Sequence, residues 1–192
     1  MIFPIVAFGH PVLRKVAAPL EPGTLSLESF IADMWETMYA SNGVGLAAPQ
    51  VNSSVRLFTV DTIQIFEAME QEEQKKYPDA PGIKAVFINA KVLSLSGAPW
   101  AYNEGCLSIP KVREDVLRPA TVELEYQDEQ WQLHRKIFSG LTARVILHEY
   151  DHIEGKLFID HLSGLKRKLL KGKLTDITKG HVKVDYKMQF SE

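Results

Sequence analysis

A single cysteine, Cys106, stands among the 192 residues. No intramolecular disulfide can form, which excludes a small secreted scaffold stapled by bridges. Neither sign of charge is in real excess: 22 Lys and Arg face 24 Asp and Glu, for a formal net charge of −2. The molecule as a whole therefore carries no field that calls for DNA or a membrane surface as partner. No apolar run approaches the ~18 residues that a membrane-spanning helix needs. The opening MIFPIVAFGHPVLR has no basic start before an apolar run and meets Pro4, His10 and Pro11 early, so it does not read as a signal peptide. Internal repeats and low-complexity tracts are also lacking. The expectation left standing is a cytoplasmic protein forming one domain over residues 1–192, long enough to bury a real core.

The periodicities present describe an α+β chain. Residues 1–23 read as an extended, proline-bearing lead-in. Ser26 then stands as a helix N-cap before Leu27, Phe30, Ile31, Met34, Trp35 and Met38, which recur at helical spacing, and Ser41-Asn42-Gly43 supplies a left-handed stop. A glycine-bearing loop is expected from Gly43 to Gln50, strands at 55–60 and 85–95, and a hairpin at 121–126 and 131–137. The charged stretch 66–82 reads as a solvated insertion. Helical spacing returns from Ser139 to Glu154 and from Ser163 to about Lys173, and 181–187 alternates weakly as a last edge strand. Runs of strands separated from a few helices favour α+β over alternating βαβ.

The strongest chemical signal is His148-Glu149-Tyr150-Asp151-His152. Residues four apart share one face of a helix, so two imidazoles one turn apart can grip one metal ion. Glu149 follows the first of them and projects beside that ion, where a base would take a proton from water. A catalytic metal usually has three protein ligands and an open position. The sole cysteine lies in a loop, Glu104-Gly105-Cys106-Leu107-Ser108, and a thiolate is a strong ligand. Gly105 lets the backbone come close, and the Leu107 N–H would point inward, placed to meet a developing oxyanion. Glu154 and His161 are formally available as third ligands too, and with either one the chain would be an HExxH metallopeptidase cutting internal peptide bonds.

Three motifs in this order resemble those of the peptide deformylase family: Gly43-Val44-Gly45-Leu46-Ala47-Ala48-Pro49-Gln50 matches G-x-G-L-A-A-x-Q, Glu104–Ser108 matches E-G-C-L-S, and His148–His152 matches H-E-x-D-H. The stretches IVAFGHPVLR and GKLFIDHLSGLKRK are similar to their family counterparts as well. The resemblance implies sheets, antiparallel or mixed, packed around a central helix bearing the HExxH, with an N-terminal helix and a C-terminal helix followed by an edge strand. It implies Cys106, His148 and His152 as ligands of one divalent ion, typically Fe²⁺, with Zn²⁺, Ni²⁺ or Co²⁺ able to replace it. Residue types alone do not choose among these ions. Glu149 would be general base and acid, and Gln50 and the Leu107 N–H would meet the formyl oxygen.

The substrate backbone would lie along Val44–Gly45 and Tyr102–Glu104. Its methionine would sit against Val44, Tyr102, Leu141, Val145 and the His148 ring. The implied reaction removes the N-formyl group from the initiator methionine of newly made polypeptides and releases formate, a metal-bound hydroxide attacking the formyl carbon. The basic run Lys166-Arg167-Lys168…Lys171…Lys173 reads first as a solvated helix face, and the resemblance adds contact with the ribosome as a sharper reading. Three features depart from the family pattern. Leu147 stands where Gln is frequent before the first histidine, Arg144 stands where an apolar lining residue is expected and so suggests a more polar pocket mouth, and 66–82 is longer than in compact members.

Overall fold

Alternating burial builds the central sheet, and a 3.6-residue rhythm builds the helix laid across it. The structure, a computed structural model, describes residues 1–23 and 26–191. Its strands are β1 (Ile5–Val6), β2 (Gly45–Ala47), β3 (Leu57–Asp61), β4 (Lys84–Ser96), β5 (Trp100–Cys106), β6 (Ile109–Arg118), β7 (Thr121–Gln127), β8 (Leu133–Ser139) and β9 (Met188–Gln189). Its α-helices are α1 (Leu27–Ala40), α2 (Ile63–Glu67), α3 (Gln71–Gln74), α4 (Gly140–Ile153) and α5 (Gly164–Thr178). One antiparallel sheet runs in the order β2-β3-β4-β7-β8, β5 and β6 form a separate antiparallel hairpin, and β1 pairs with β9 in parallel.

The sheet's inner face carries Phe58, Val60, Phe87, Val122 and Leu124, and these pack with Ala143, Ile146, Leu147 and Ile153 of α4. Each large side chain among them, fully buried, contributes about 1.5–3 kcal/mol. β7 shows the cause plainly: its even-numbered Val122, Leu124 and Tyr126 are buried and their neighbours are not. A second cluster gathers Val6, Ile109, Val112 and Val116 with Phe158 and Leu162, joining the hairpin to the chain's two ends. Helix α1 stops at Ser41 with Asn42 at φ 55°, as the Asn-Gly pair anticipates.

Several local expectations need correction. The glycine loop contains a strand, because Leu46 and Ala47 are fully buried and their backbone must pair, which it does with Thr59 and Phe58. Cys106 is the last residue of β5 rather than part of a loop. The final strand is 188–189, not 181–187, since its register is dictated by buried Ile5 and Val6 at the far end of the chain.

The stretch 66–82 is not simply solvated. Phe66 is buried, and Asp79 Oδ2 accepts the Thr142 N–H at 2.7 Å, capping the start of α4. Ser139, at the N-cap position itself, makes no side-chain cap bond, so a distant carboxylate takes its place. Gly140 has φ +59°, and a Cβ on it would stand 2.0 Å from Asp79 Oδ1, so the cap and the glycine require each other. In addition, α5 runs five residues past the expected end near Lys173, to Thr178.

Candidate metal centre

The end of β5 and the middle of α4 bring three donors together. Cys106 Sγ lies 3.3 Å from His152 Nε2, and the ligating atoms of Cys106, His148 and His152 are all within 4.8 Å of one another. Among the described residues no other group of His, Cys, Asp and Glu converges in this way. His148 donates from Nδ1 to Glu104 Oε2 at 2.9 Å. That bond fixes the tautomer and leaves Nε2 as the ligating atom, as expected of a metal-binding histidine.

Electrostatics at the cluster calls for positive charge. Burial pushes the Cys106 thiol up, but the imidazoles of His152 and His148 outweigh it and hold the group at about 5. Burial alone would lower His148, yet Cys106 and Glu104 raise it well above the ordinary imidazole value. Thiolate and retained proton are two signs of one demand, which a divalent cation meets on a donor set of one sulfur and two nitrogens. The residues present therefore fit such an ion.

Glu149 sits beside the donors, 4% exposed, and its Oε2 has no hydrogen-bond partner among the described residues. Burial raises its carboxyl to about 7, the range in which a proton can be both taken and returned. Gly45 explains how it fits: a Cβ there would stand 2.5 Å from Glu149 Oε1. Gln50 is held by its own turn, Oε1 accepting the Ala47 N–H at 2.9 Å, so that Nε2 lies 3.6 Å from Cys106 Sγ and 3.3 Å from Ser108 Oγ. These groups open onto a cleft of about 720 Å³. Val44, Gly45, Gln50, Tyr102, Glu104, Cys106, Leu107, Leu141, Val145, His148 and Glu149 all line it, and of the expected site residues only His152 does not.

Behind the centre lies a buried ionic network. Glu104 accepts from Arg118 Nε at 2.7 Å, Arg118 Nη2 at 3.0 Å and Arg144 Nη1 at 2.9 Å, besides His148. Burial pushes its carboxyl up, but His148 and Arg118 prevail and hold it well below the usual carboxylate range. Arg118 also reaches Asp151 Oδ2 at 2.8 Å, which accepts from His161 Nε2 at 2.7 Å. Arg144 lines the cleft, as expected, but it is 2% exposed, with Glu104 Oε1, Val116 O and Trp100 O as its acceptors.

The alternative third ligands are engaged elsewhere, Glu154 with Arg56 at 2.6 Å and His161 with Asp151. Leu147, at the position where Gln is frequent, is buried in the sheet-side core. Sequence reasoning missed several parts of the cleft wall, among them Ile65 of α2, Ile109–Arg113 of β6 and Lys183–Tyr186 near the C-terminus. Nothing in the local pattern of these stretches signals a site.

The model of the polypeptide deformylase family matches residues 2–168. A curated peptide deformylase of Christiangramia forsetii is 50% identical over 192 residues, covering 99% of this chain and 96% of its own. A crystal structure of a peptide deformylase from Legionella pneumophila superposes with a TM-score of 0.78 at 34% identity, covering 94% of this chain and 98% of that one. The Met-Ala-Ser-bound class I type b peptide deformylase of Acinetobacter baumannii superposes with a TM-score of 0.72 at 33% identity, over 84% of this chain and 99% of that one.

Proposed function

The chain belongs to the polypeptide deformylase family of enzymes, and from that premise we propose that it removes the N-formyl group from the initiator methionine of newly made polypeptides, releasing formate. The observation that carries this reading is the convergence of Cys106, His148 and His152 beside the buried, unpartnered carboxylate of Glu149. When bound by those three side chains, a divalent ion supplies Lewis-acid chemistry, polarising a carbonyl oxygen and making water acidic enough to ionise near neutral pH.

The chain's own residues do the rest. Glu149 takes the proton of the attacking water and delivers it to the nitrogen that leaves. Gln50 Nε2 and the Leu107 N–H donate to the formyl oxygen as negative charge grows there. Among the described residues β2 pairs only with β3 and β5 only with β6, so each keeps an edge on the cleft. An extended substrate adds between Val44–Gly45 and Tyr102–Glu104 as a strand, its methionine against Val44, Tyr102, Leu141, Val145 and the His148 ring. The peptide in the Acinetobacter relative, Met-Ala-Ser, has the sequence such a product would have.

We place the activity in one catalytic domain, in the cytoplasm, with Fe²⁺ as the working ion. No helix among the described residues is long and apolar enough to cross a membrane. Lys166, Arg167, Lys168, Lys171 and Lys173 lie on α5, Lys166 paired with Glu114 at 3.0 Å, and contact with the ribosome through this run is tested by reversing their charges and measuring co-sedimentation at low salt.

The central test is formate release from formyl-Met-Ala-Ser by anaerobically purified protein, with elemental analysis of the same sample. The expected result is formate with one iron per chain. Metal-loaded protein that leaves this substrate intact, or that cuts blocked internal peptides instead, overturns the reading.

A further inference from the structure

The residues after α5 return to the cleft. Gly180, at φ +74°, turns the chain back. The Ile5 N–H then bonds Lys187 O and the Ala7 N–H bonds Gln189 O, both at 2.8 Å, as β9 joins β1. Val182, Met188 and Phe190 pack against the cluster built around Val6 and Phe158. Between these anchors Lys183, Val184, Asp185 and Tyr186 line the catalytic cleft. The family match ends at residue 168, so this whole segment lies outside it.

Tyr186 makes the contact that matters. Its ring is partly buried against the α1-side core beside Leu107, and its hydroxyl donates to Leu107 O at 2.8 Å. Leu107 and Ser108 form the tight turn between β5 and β6. The next carbonyl along, Ser108 O, is held by the Phe8 N–H at 2.8 Å. The turn that carries the Leu107 amide is thus gripped by both ends of the chain. An oxyanion donor acts through its direction, and a donor free to swing loses much of its effect.

We propose that residues 181–190 form a strap that completes the catalytic cleft, and that Tyr186 is a positioning residue that holds the Leu107 turn so that its N–H aims at the substrate carbonyl. This rests on the deformylase reading. The strap is part of the working enzyme because two hydrogen bonds and three apolar anchors fix it on β1 and the core beneath, and its one hydroxyl contact to the hairpin falls one residue from the metal-binding cysteine.

The test is Tyr186→Phe, which keeps the ring and its packing and removes only the hydroxyl. Losing an oxyanion donor outright costs ~10²–10³ in rate, so loosening one should lower kcat by roughly tenfold. KM for formyl-Met-Ala-Ser and the melting temperature should stay as in wild type. In zinc-loaded, substrate-free protein the Leu107 and Ser108 amide resonances should shift while those of the central sheet stay put.

A second variant ending after Gly180 removes the strap entirely. It should show the same loss in kcat together with a raised KM, and its melting curve reports whether it folds. Tyr186→Phe is the deciding variant, because it leaves the packing of the strap in place. Unchanged kcat in that variant, beside an active wild type, overturns the proposal. A loss confined to KM, or one matched by a fall in melting temperature, overturns it equally. Wild type that releases no formate sinks the deformylase reading, and the strap's role with it.

Discussion

Helix α4 is buried on two sides by opposite means. Toward the sheet it presents Ala143, Ile146, Leu147 and Ile153 to phenylalanines, valines and leucines. Toward the β5–β6 hairpin it presents Arg144, His148, Asp151 and His152, which meet Glu104, Arg118, Cys106 and His161. The apolar side gains from area removed from water, a non-directional quantity that tolerates exchange of similar volumes. The polar side gains little from burial itself, because every charge there must be matched, and removing one partner strands the others. One face decides where the helix lies. The other decides which way His148 points, through a carboxylate that two arginines hold in place.

The largest effect should come from Glu149→Gln. General acid–base catalysis is worth ~10²–10⁴, so turnover should fall by about 10³ while elemental analysis finds the metal retained. Loss of metal along with activity would break the proposed division between residues that hold the ion and the one that moves protons. Gly45→Ala pushes a methyl group into the space of Glu149 Oε1, 2.5 Å away, and should cost about 10² in kcat, since a displacement of about 1 Å can do so. A variant with full activity would show that Glu149 has room the structure does not grant it.

Glu104→Gln touches the polar side alone. Metal affinity, measured by competition with a chelator, should weaken about 10–100-fold, because the carboxylate orienting a ligating imidazole is gone. Ile146→Val is the matching change on the apolar side and the smallest effect. It should lower stability by about 0.5–1.5 kcal/mol in denaturant titration with kcat and metal content untouched. If the two variants behaved alike, the contrast between the faces would be wrong.

The site is more legible in the sequence than parts of the fold. His148, Glu149 and His152 are readable because helical spacing alone puts them on adjacent turns, and Cys106 because no other cysteine competes with it. The β5–β6 hairpin is hidden for a physical reason. Glu104 and Arg118 are buried within it, so charges occupy positions where an inward-facing apolar residue would mark the alternation of a strand. The place of Arg144 is hidden for a related reason: its acceptor Glu104 lies 40 residues away and cannot be paired with it by local pattern. Asp79 sits in a stretch of charges that reads as solvated, and only Phe66 hints that the stretch is docked.

From the sequence alone came the α+β class, the three candidate donors, the carboxylate beside them and the family resemblance. Each of these rests on residue type and spacing over a few positions, where chain geometry is already known. Tertiary structure alone decided that Gly45 leaves space for a carboxylate, that Asp79 caps α4, that Arg118 and Arg144 converge on Glu104, and that the end of the chain closes over Leu107. Those are contacts between groups 14 to 104 positions apart. Local periodicity carries no record of such pairs, because the free energy that selects them belongs to the assembled core and not to any one segment.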